Sequence, residues 1–326
     1  MPGPTSCAAC GGPHRINVHY HCLPPVALGA AATTELQRRV FAMWMDPSRM
    51  VDELNNEGVA TAMLSFSTPQ QWFPDLKPDR RFSRLCNDHC TVLKQDHPGR
   101  FGVFATLPPP TDPDGTLAEI AYALDTLGAE GVTLMTNYEG RYLGDPAFAP
   151  VLEELDRRGA IVFVHPAEPV CLMQTDAPSP YAEWPFDTAR TIMSLWISDA
   201  LSRWPNIRFI FSHGGGGLPM VAGRIDNFGR PEPGTSGGEG SMRHDALTLF
   251  RRLYFDTANA ANPPALAALR AMADPGHILF GTDGPYMPAE WSIDGLAQSN
   301  LTPDEIWAIE RGNAETLMPQ LATAEA

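Results

Sequence analysis

Two histidines end an apolar run near the start of the chain, in the heptapeptide INVHYHC at residues 16–22. Successive side chains of a strand point to opposite faces, so His19 and His21 would share one face, where two imidazoles can bind one metal ion. A His-x-His motif is short, and a buried hydrogen-bonded pair or a chance occurrence would produce the same letters. The pair alone therefore leaves these interpretations open.

Three more residues that suit metal binding or acid–base chemistry end later apolar runs. His165 ends AIVFVH, His213 ends RFIFSH, and Asp283 ends HILFGTD. Each alone has an ordinary structural interpretation, but their shared placement at the ends of runs predicts one site. Three histidines and one carboxylate with an open water position suit Zn²⁺, and Mn²⁺, Fe²⁺ and Co²⁺ are compatible with the same donors.

The expected number of metal ions follows from the fourth apolar run, which ends at Thr136-Asn137. A two-metal version of such a site usually needs a bridging group there, such as a carbamylated lysine. The chain has only two lysines, Lys77 and Lys94, and neither lies near the end of a run. We therefore predict one divalent metal, with Zn²⁺ as the expected ion.

The elements that must position these residues are eight short apolar runs bounded by turn signals. They are continuous rather than alternating, as expected for strands that are covered on both faces. The runs occupy residues 16–21, 60–66, 100–107, 131–136, 160–165, 208–213, 253–258 and 277–283. Helical patterns lie between them, at residues 46–58, 145–159, 186–205 and 301–318, the last with a capping box at Thr302 and Glu305.

Eight strand–helix units in about 300 residues predict an α/β fold, a (β/α)8 TIM barrel. An open doubly wound sheet would need a Gly-rich phosphate turn after an early strand, and the sequence has none. We expect a flexible N-terminal tail at residues 1–15 and a single barrel domain at 16–326. In such a barrel the C-terminal strand ends meet at one rim, which is where the five candidate residues fall.

Composition limits the partners of this chain. Its 326 residues carry a formal net charge of −15, which opposes binding to nucleic acid or to an anionic membrane. No apolar run approaches the roughly 20 residues that span a bilayer, and the N-terminus lacks a signal-peptide pattern. Cys7 and Cys10 form one CxxC motif without the second pair that a structural zinc site needs. We expect a cytoplasmic protein without a membrane or nucleic-acid partner.

A series of motifs runs in order from residue 16 to about residue 318: NVHYHCLPP, FVHP, FDTART, FIFSHGGGGLP, YFDTA, FGTDGPYMP and GNA. On these motifs the chain resembles the amidohydrolase superfamily. Within it, the chain is most similar to the branch that holds aminocarboxymuconate-semialdehyde decarboxylase and the non-oxidative aromatic decarboxylases, the 6-methylsalicylate group in particular. The resemblance implies that His19, His21, His165 and Asp283 hold the metal and that His213 is an acid–base residue beside it.

Residues that contact the substrate are also implied. An arginine eleven residues past the acid–base histidine can reach the substrate of a neighbouring subunit in this branch, which indicates Arg224 and a homodimer. Arg49 is a further candidate to bind a carboxylate, and Tyr286 and Trp184 could hold a flat ring. The branch usually opens with Asp-x-His-x-His, but Asn17 stands at the first position here. An asparagine can still hydrogen-bond to the backbone or to a histidine, without a charge.

The resulting hypothesis is metal-assisted decarboxylation of an ortho-hydroxy aromatic, salicylate-type acid. The metal would bind the carboxylate and the adjacent phenol oxygen. Asp283, or a water that it controls, would protonate the ring carbon, and His213 would polarise the phenol or pass protons. Hydrolysis of a lactone, an amide or a related acyl bond needs the same donors and is the alternative. A non-catalytic barrel scaffold is the third interpretation.

Overall fold

The computed structural model describes residues 13–25, 34–66, 79–170, 178–229 and 245–322. Its main sheet has eight parallel strands in chain order, so the predicted (β/α)8 barrel is confirmed. The strands are β1 (Arg15–His21), β2 (Val59–Ser65), β3 (Phe101–Thr106), β4 (Gly131–Met135), β5 (Ile161–His165), β6 (Arg208–Phe211), β7 (Tyr254–Asp256) and β8 (Ile278–Leu279).

Helices connect and surround the strands. They are α1 (Glu35–Trp44), α2 (Pro47–Asn56), α3 (Arg80–Asp96), α4 (Pro113–Ala121), α5 (Ala149–Arg157), α6 (Glu183–Ile197), α7 (Ala200–Arg203), α8 (Leu218–Gly229), α9 (Ala246–Phe250), α10 (Pro263–Met272), α11 (Ala289–Gln298), α12 (Pro303–Trp307) and α13 (Asn313–Leu317). A two-stranded hairpin, Asn137–Tyr138 with Arg141–Tyr142, follows β4. No helix in these ranges is long and apolar enough to cross a membrane.

The predicted helices differ from the observed ones mainly at their ends. The pattern at 186–205 is divided, because Asp199 has a φ of 66° and a left-handed residue cannot continue a helix. The pattern at 145–159 begins with a 3₁₀ turn at Pro146–Phe148 before α5. The capping box at Thr302 is confirmed, since Thr302 Oγ1 accepts from the amide of Glu305 and the Glu305 carboxylate accepts from the amide of Thr302.

The first and last strands close the barrel at its C-terminal rim. The amide of Val18 donates to the carbonyl of Phe280 (2.9 Å), and the amide of Asp283 donates to the carbonyl of His19 (3.1 Å). The amide of His21 donates to the carbonyl of Gly284 (2.6 Å). The seam of the barrel is therefore formed by the same segments that carry candidate site residues.

The start of the barrel lies slightly earlier than the sequence indicates. His14 and Arg15 are buried, and both bond to the carboxylate of Glu310 at 2.7 Å. The ring of His14 also stacks on Trp307. These two residues pack with the barrel, whereas Cys7, Cys10 and the rest of residues 1–12 lie outside the described residues.

Candidate active site

The His-x-His pair lies inside β1, a strand whose residues are all buried. Because the two side chains share a face, His19 Nε2 and His21 Nε2 approach to 3.0 Å. Asn17 precedes them on the same face and fixes the strand locally. Its Oδ1 accepts from the amides of His19 (3.0 Å) and Thr282 (3.2 Å), and its Nδ2 donates to Thr282 Oγ1 (2.7 Å). The uncharged amide therefore ties β1 to the segment that carries Asp283.

The other three candidates come from three different strand–loop junctions. His165 is the last residue of β5, but His213 and Asp283 lie beyond the ends of β6 and β8. Both of these have left-handed backbones, with φ values of 55° and 64°. One donor atom from each of these three residues and one from His19 all lie within 4.8 Å of one another. The strand ends therefore bring these four side chains together, as predicted.

The carboxylate of Asp283 faces two ways. Its Oδ1 lies 3.2 Å from His19 Nε2 and 3.0 Å from His21 Nε2. Its Oδ2 lies 3.4 Å from His213 Nε2 and 2.9 Å from Asn259 Nδ2. One oxygen thus contacts the imidazoles of His19 and His21, and the other contacts the imidazole of His213 and the amide of Asn259.

The outer nitrogens of the buried rings are held by oxygen atoms. His19 Nδ1 lies 2.7 Å from Asp256 Oδ2, and His165 Nδ1 lies 2.9 Å from the carbonyl of Pro166. Since a carboxylate and a carbonyl only accept, each Nδ1 must carry the hydrogen. A neutral ring then presents an unprotonated Nε2 to the cluster, as a metal ligand must. These donors fit one divalent ion.

Burial and nearby carboxylates shift the pKa values of the clustered residues. Burial lowers the pKa of His19, but Asp256 and Asp283 outweigh it and raise that pKa to about 10. Burial also lowers the pKa of His21, and it holds the pKa of His165 well below its usual range. Burial would raise the pKa of Asp283, but the charge of His19 and hydrogen bonds from the imidazoles hold it well below its usual range. The metal-free cluster therefore contains an ionised carboxylate, a protonated His19 that must lose a proton before it can bind a cation, and neutral rings at His21 and His165.

Comparison with known proteins places this geometry in a family. A family model described as amidohydrolase matches residues 47–319 of the chain. The chain belongs to the amidohydrolase family. It is 34% identical to 6-methylsalicylic acid decarboxylase of Penicillium expansum, over 94% of this chain and 97% of that protein.

Solved structures agree with this assignment. A crystal structure described as amidohydrolase II has a TM-score of 0.80 and 31% identity, covering 94% of this chain and 99% of the other. Dihydroxybenzoic acid decarboxylase from Polaromonas sp. JS666, solved with bound manganese and the inhibitor 2-nitroresorcinol, has a TM-score of 0.79. It is 20% identical and covers 96% of this chain and 98% of its own, so it supports the fold.

The predicted substrate-binding residues of this amidohydrolase fall into two groups. The rings of Tyr286 and Trp184 lie beside the cluster, with centroids 5.1 Å from His21 and 6.1 Å from His165, respectively. Arg49 is exposed on α2, and no hydrogen bond or ion pair among the described residues joins it to the cluster. Arg224 is exposed on α8, with its guanidinium 4.7 Å from the centroid of Phe228.

Two residues of the amidohydrolase site are not identified by the sequence analysis, Asp256 and Asn259. Asp256 is the last residue of β7 and Asn259 follows it by three residues, in the motif YFDTAN, which overlaps the apolar run at residues 253–258. A search of every strand end for carboxylates and amides would include them. Asp256 is fully buried, and its Oδ1 also accepts from the amides of His213 (2.9 Å) and Ala258 (3.0 Å).

Replacement of Asp256 by asparagine is expected to weaken metal binding by about 10- to 100-fold. The Oδ1 side can keep both backbone bonds, so the new Nδ2 would face His19 Nδ1. It would favour the tautomer with a hydrogen on Nε2, which cannot bind a metal. Competition with a chromophoric chelator measures the dissociation constant. Asp125→Asn, at an exposed partner of Arg158, is the matched control, and equal affinities of both variants would contradict the role of Asp256.

Proposed function

We propose that this amidohydrolase is a metal-dependent carboxy-lyase that releases CO₂ from an ortho-hydroxy aromatic acid without an oxidant. The observation that carries the proposal is the divided carboxylate of Asp283, with Oδ1 in the histidine cluster and Oδ2 beside His213. A group held in this way can bind to a metal on one side and transfer a proton on the other. The relationship to 6-methylsalicylic acid decarboxylase supports the substrate class.

The metal centre that we propose contains one divalent ion. Its ligands would be His19, His21, His165 and Asp283, which leaves His213 on the outer oxygen of the carboxylate. A donor set of three imidazoles and one carboxylate favours Zn²⁺, whereas the related structure with manganese supports Mn²⁺ as the competing ion. When bound, the ion supplies Lewis acidity toward the carboxylate and the phenol oxygen of the substrate.

The residues of the chain carry the proton. Asp283 Oδ2 receives it from His213 or from the substrate hydroxyl, because the carboxylate is ionised in the resting protein. It then passes to the ring carbon that bears the carboxyl group. The bond between these carbons breaks, its electron pair stays with the ring, and CO₂ departs. The proton replaces CO₂ on that carbon and the aromatic ring is restored, so no oxidant or reductant is consumed.

Binding of the ring would involve the aromatic residues beside the cluster. Trp184 and Tyr286 are suited to hold a flat substrate, and Trp184 Nε1 is itself held by Glu168 Oε2 at 3.0 Å. We also propose a cytoplasmic homodimer in which Arg224, exposed on α8, reaches the substrate of the partner subunit. Arg49 is the lesser candidate for the substrate carboxylate, since it is exposed on α2.

Gas release and metal content of the purified protein test this proposal together. We expect about one divalent ion per chain and release of CO₂ from salicylate or 6-methylsalicylate, with formation of the corresponding phenol. Elemental analysis identifies the ion, and an enclosed assay measures CO₂. An ion without CO₂ from such acids, together with turnover of lactones or amides, would favour hydrolysis instead. The absence of both metal and turnover would favour the scaffold interpretation.

A further inference from the structure

Asn259 is the only asparagine among the described residues whose amide contacts the candidate catalytic carboxylate. It lies three residues after Asp256, in the tight turn that follows β7, where Ala260 and Ala261 donate backbone bonds to the carbonyl of Thr257. Its Nδ2 donates to Asp283 Oδ2 at 2.9 Å. The opposite orientation would bring two acceptors together, so the hydrogen-bond chemistry requires the amide nitrogen at this position.

The backbone of Asn259 is held in an unfavourable region. Five non-glycine residues in the described ranges have a positive φ, and three of them, His213, Asn259 and Asp283, meet at the same carboxylate oxygen. Asparagine tolerates this region better than most residues, and backbone strain of this kind clusters at functional sites. The turn therefore points the amide at Oδ2 rather than at solvent.

We infer that Asn259 is a positioning residue, which fixes Asp283 so that Oδ1 stays beside His19 and His21 and Oδ2 stays beside His213 for proton transfer. Without the amide, the carboxylate can rotate and exchange its two oxygens. The one remaining contact of Oδ2, with His213 Nε2 at 3.4 Å, then no longer defines a single orientation of the carboxylate. This inference rests on the proposed function, because it assigns Asp283 to both the metal and the proton.

The decisive variant is Asn259→Gly, because glycine adopts a positive φ without strain, so the side chain and its amide are lost while the turn is kept. We expect kcat for CO₂ release to fall by about 10- to 100-fold, the range for a lost hydrogen bond to a charged group, while KM changes by less than about threefold. Asn259→Asp has the same size but an acceptor in place of the donor, and it should lower kcat at least as much. Glu139→Gly, at an exposed residue with a φ of 54°, is the matched control.

A second readout does not depend on turnover. With Co²⁺ bound to each variant, the visible absorption spectrum reports how the carboxylate binds the ion, and we expect Asn259→Gly to change it and Glu139→Gly to leave it unchanged. A wild-type kcat in Asn259→Gly would overturn the inference, since the backbone alone would then account for Asn259. If substitution of Asp283 itself leaves kcat unchanged, the proposed function fails and not this inference alone.

Discussion

Replacement of Asp283 by asparagine is expected to lower the kcat for CO₂ release by on the order of 10²- to 10⁴-fold. The new side chain keeps its size and an oxygen for the cluster, but it cannot carry a proton to the ring carbon. Its amide nitrogen would also face Asn259 Nδ2 at the position where Oδ2 now accepts at 2.9 Å. Steady-state kinetics with salicylate or 6-methylsalicylate measure the effect, and KM should change far less than kcat.

Two companion variants separate proton transfer from metal binding. Asp283→Ala removes both oxygens, so we expect it to lose metal as well as activity, whereas Asp283→Asn should retain more of the ion. Asp125→Asn controls for the loss of a carboxylate elsewhere on the surface. Wild-type kcat in Asp283→Asn would mean that the ring carbon receives its proton from another group, and the assignment of Asp283 would be wrong.

Metal removal is expected to abolish activity, and metal uptake by the metal-free protein should release about one proton per ion between pH 7 and 9. His19 has a pKa of about 10 in the metal-free cluster, so it is protonated in this range and must lose that proton to become a ligand. Affinity for the ion should therefore increase by about tenfold for each unit by which the pH is raised, up to about pH 10. Calorimetry in buffers of different ionisation enthalpy counts the proton.

The same ionisation links pH to the stability of the metal-free fold. The folded pKa of His19 lies above the ordinary value of 6.5, so its stabilising contribution is complete below pH 6.5 and is lost as pH rises through 10. Metal and proton thus compete for one nitrogen. Asp256→Asn removes the carboxylate that contacts His19 Nδ1, so it should lower the number of protons released. Equal proton release in this variant, or none in the wild type, would contradict the model of the cluster.

The sequence predicts the position of a site residue well when that residue lies within a strand. His19, His21 and His165 lie inside strands, so the apolar runs that predict β1 and β5 also predict their convergence. His213 and Asp283 follow their strands by a few residues and have left-handed backbones. The apolar runs include both residues but give no sign that the strand has already ended. Their positions at the rim are predictable, but their orientations are not, because these depend on turns rather than on strand periodicity.

Contacts across the barrel are the part that the sequence does not predict. Asp256 meets His19 across 237 residues of chain, and nothing in either local pattern encodes that pairing. The outward direction of Arg49 and Arg224 has a similar cause, since the register of a helix on the barrel decides which face is buried. The division of the helical pattern at Asp199 depends on one backbone torsion of 66°.

The seam between the first and last strands has a consequence for the protein during its synthesis. β2, the neighbour of β1, follows it closely in the chain, but the partners of the other edge of β1 are not made until the segment around Phe280 and Gly284. Asp283 follows His21 by 262 residues, so a growing chain carries its first imidazoles long before the carboxylate that completes their cluster. A divalent ion that binds there would link a segment near the N-terminus to one that is synthesised late. It would thereby stabilise the closed barrel.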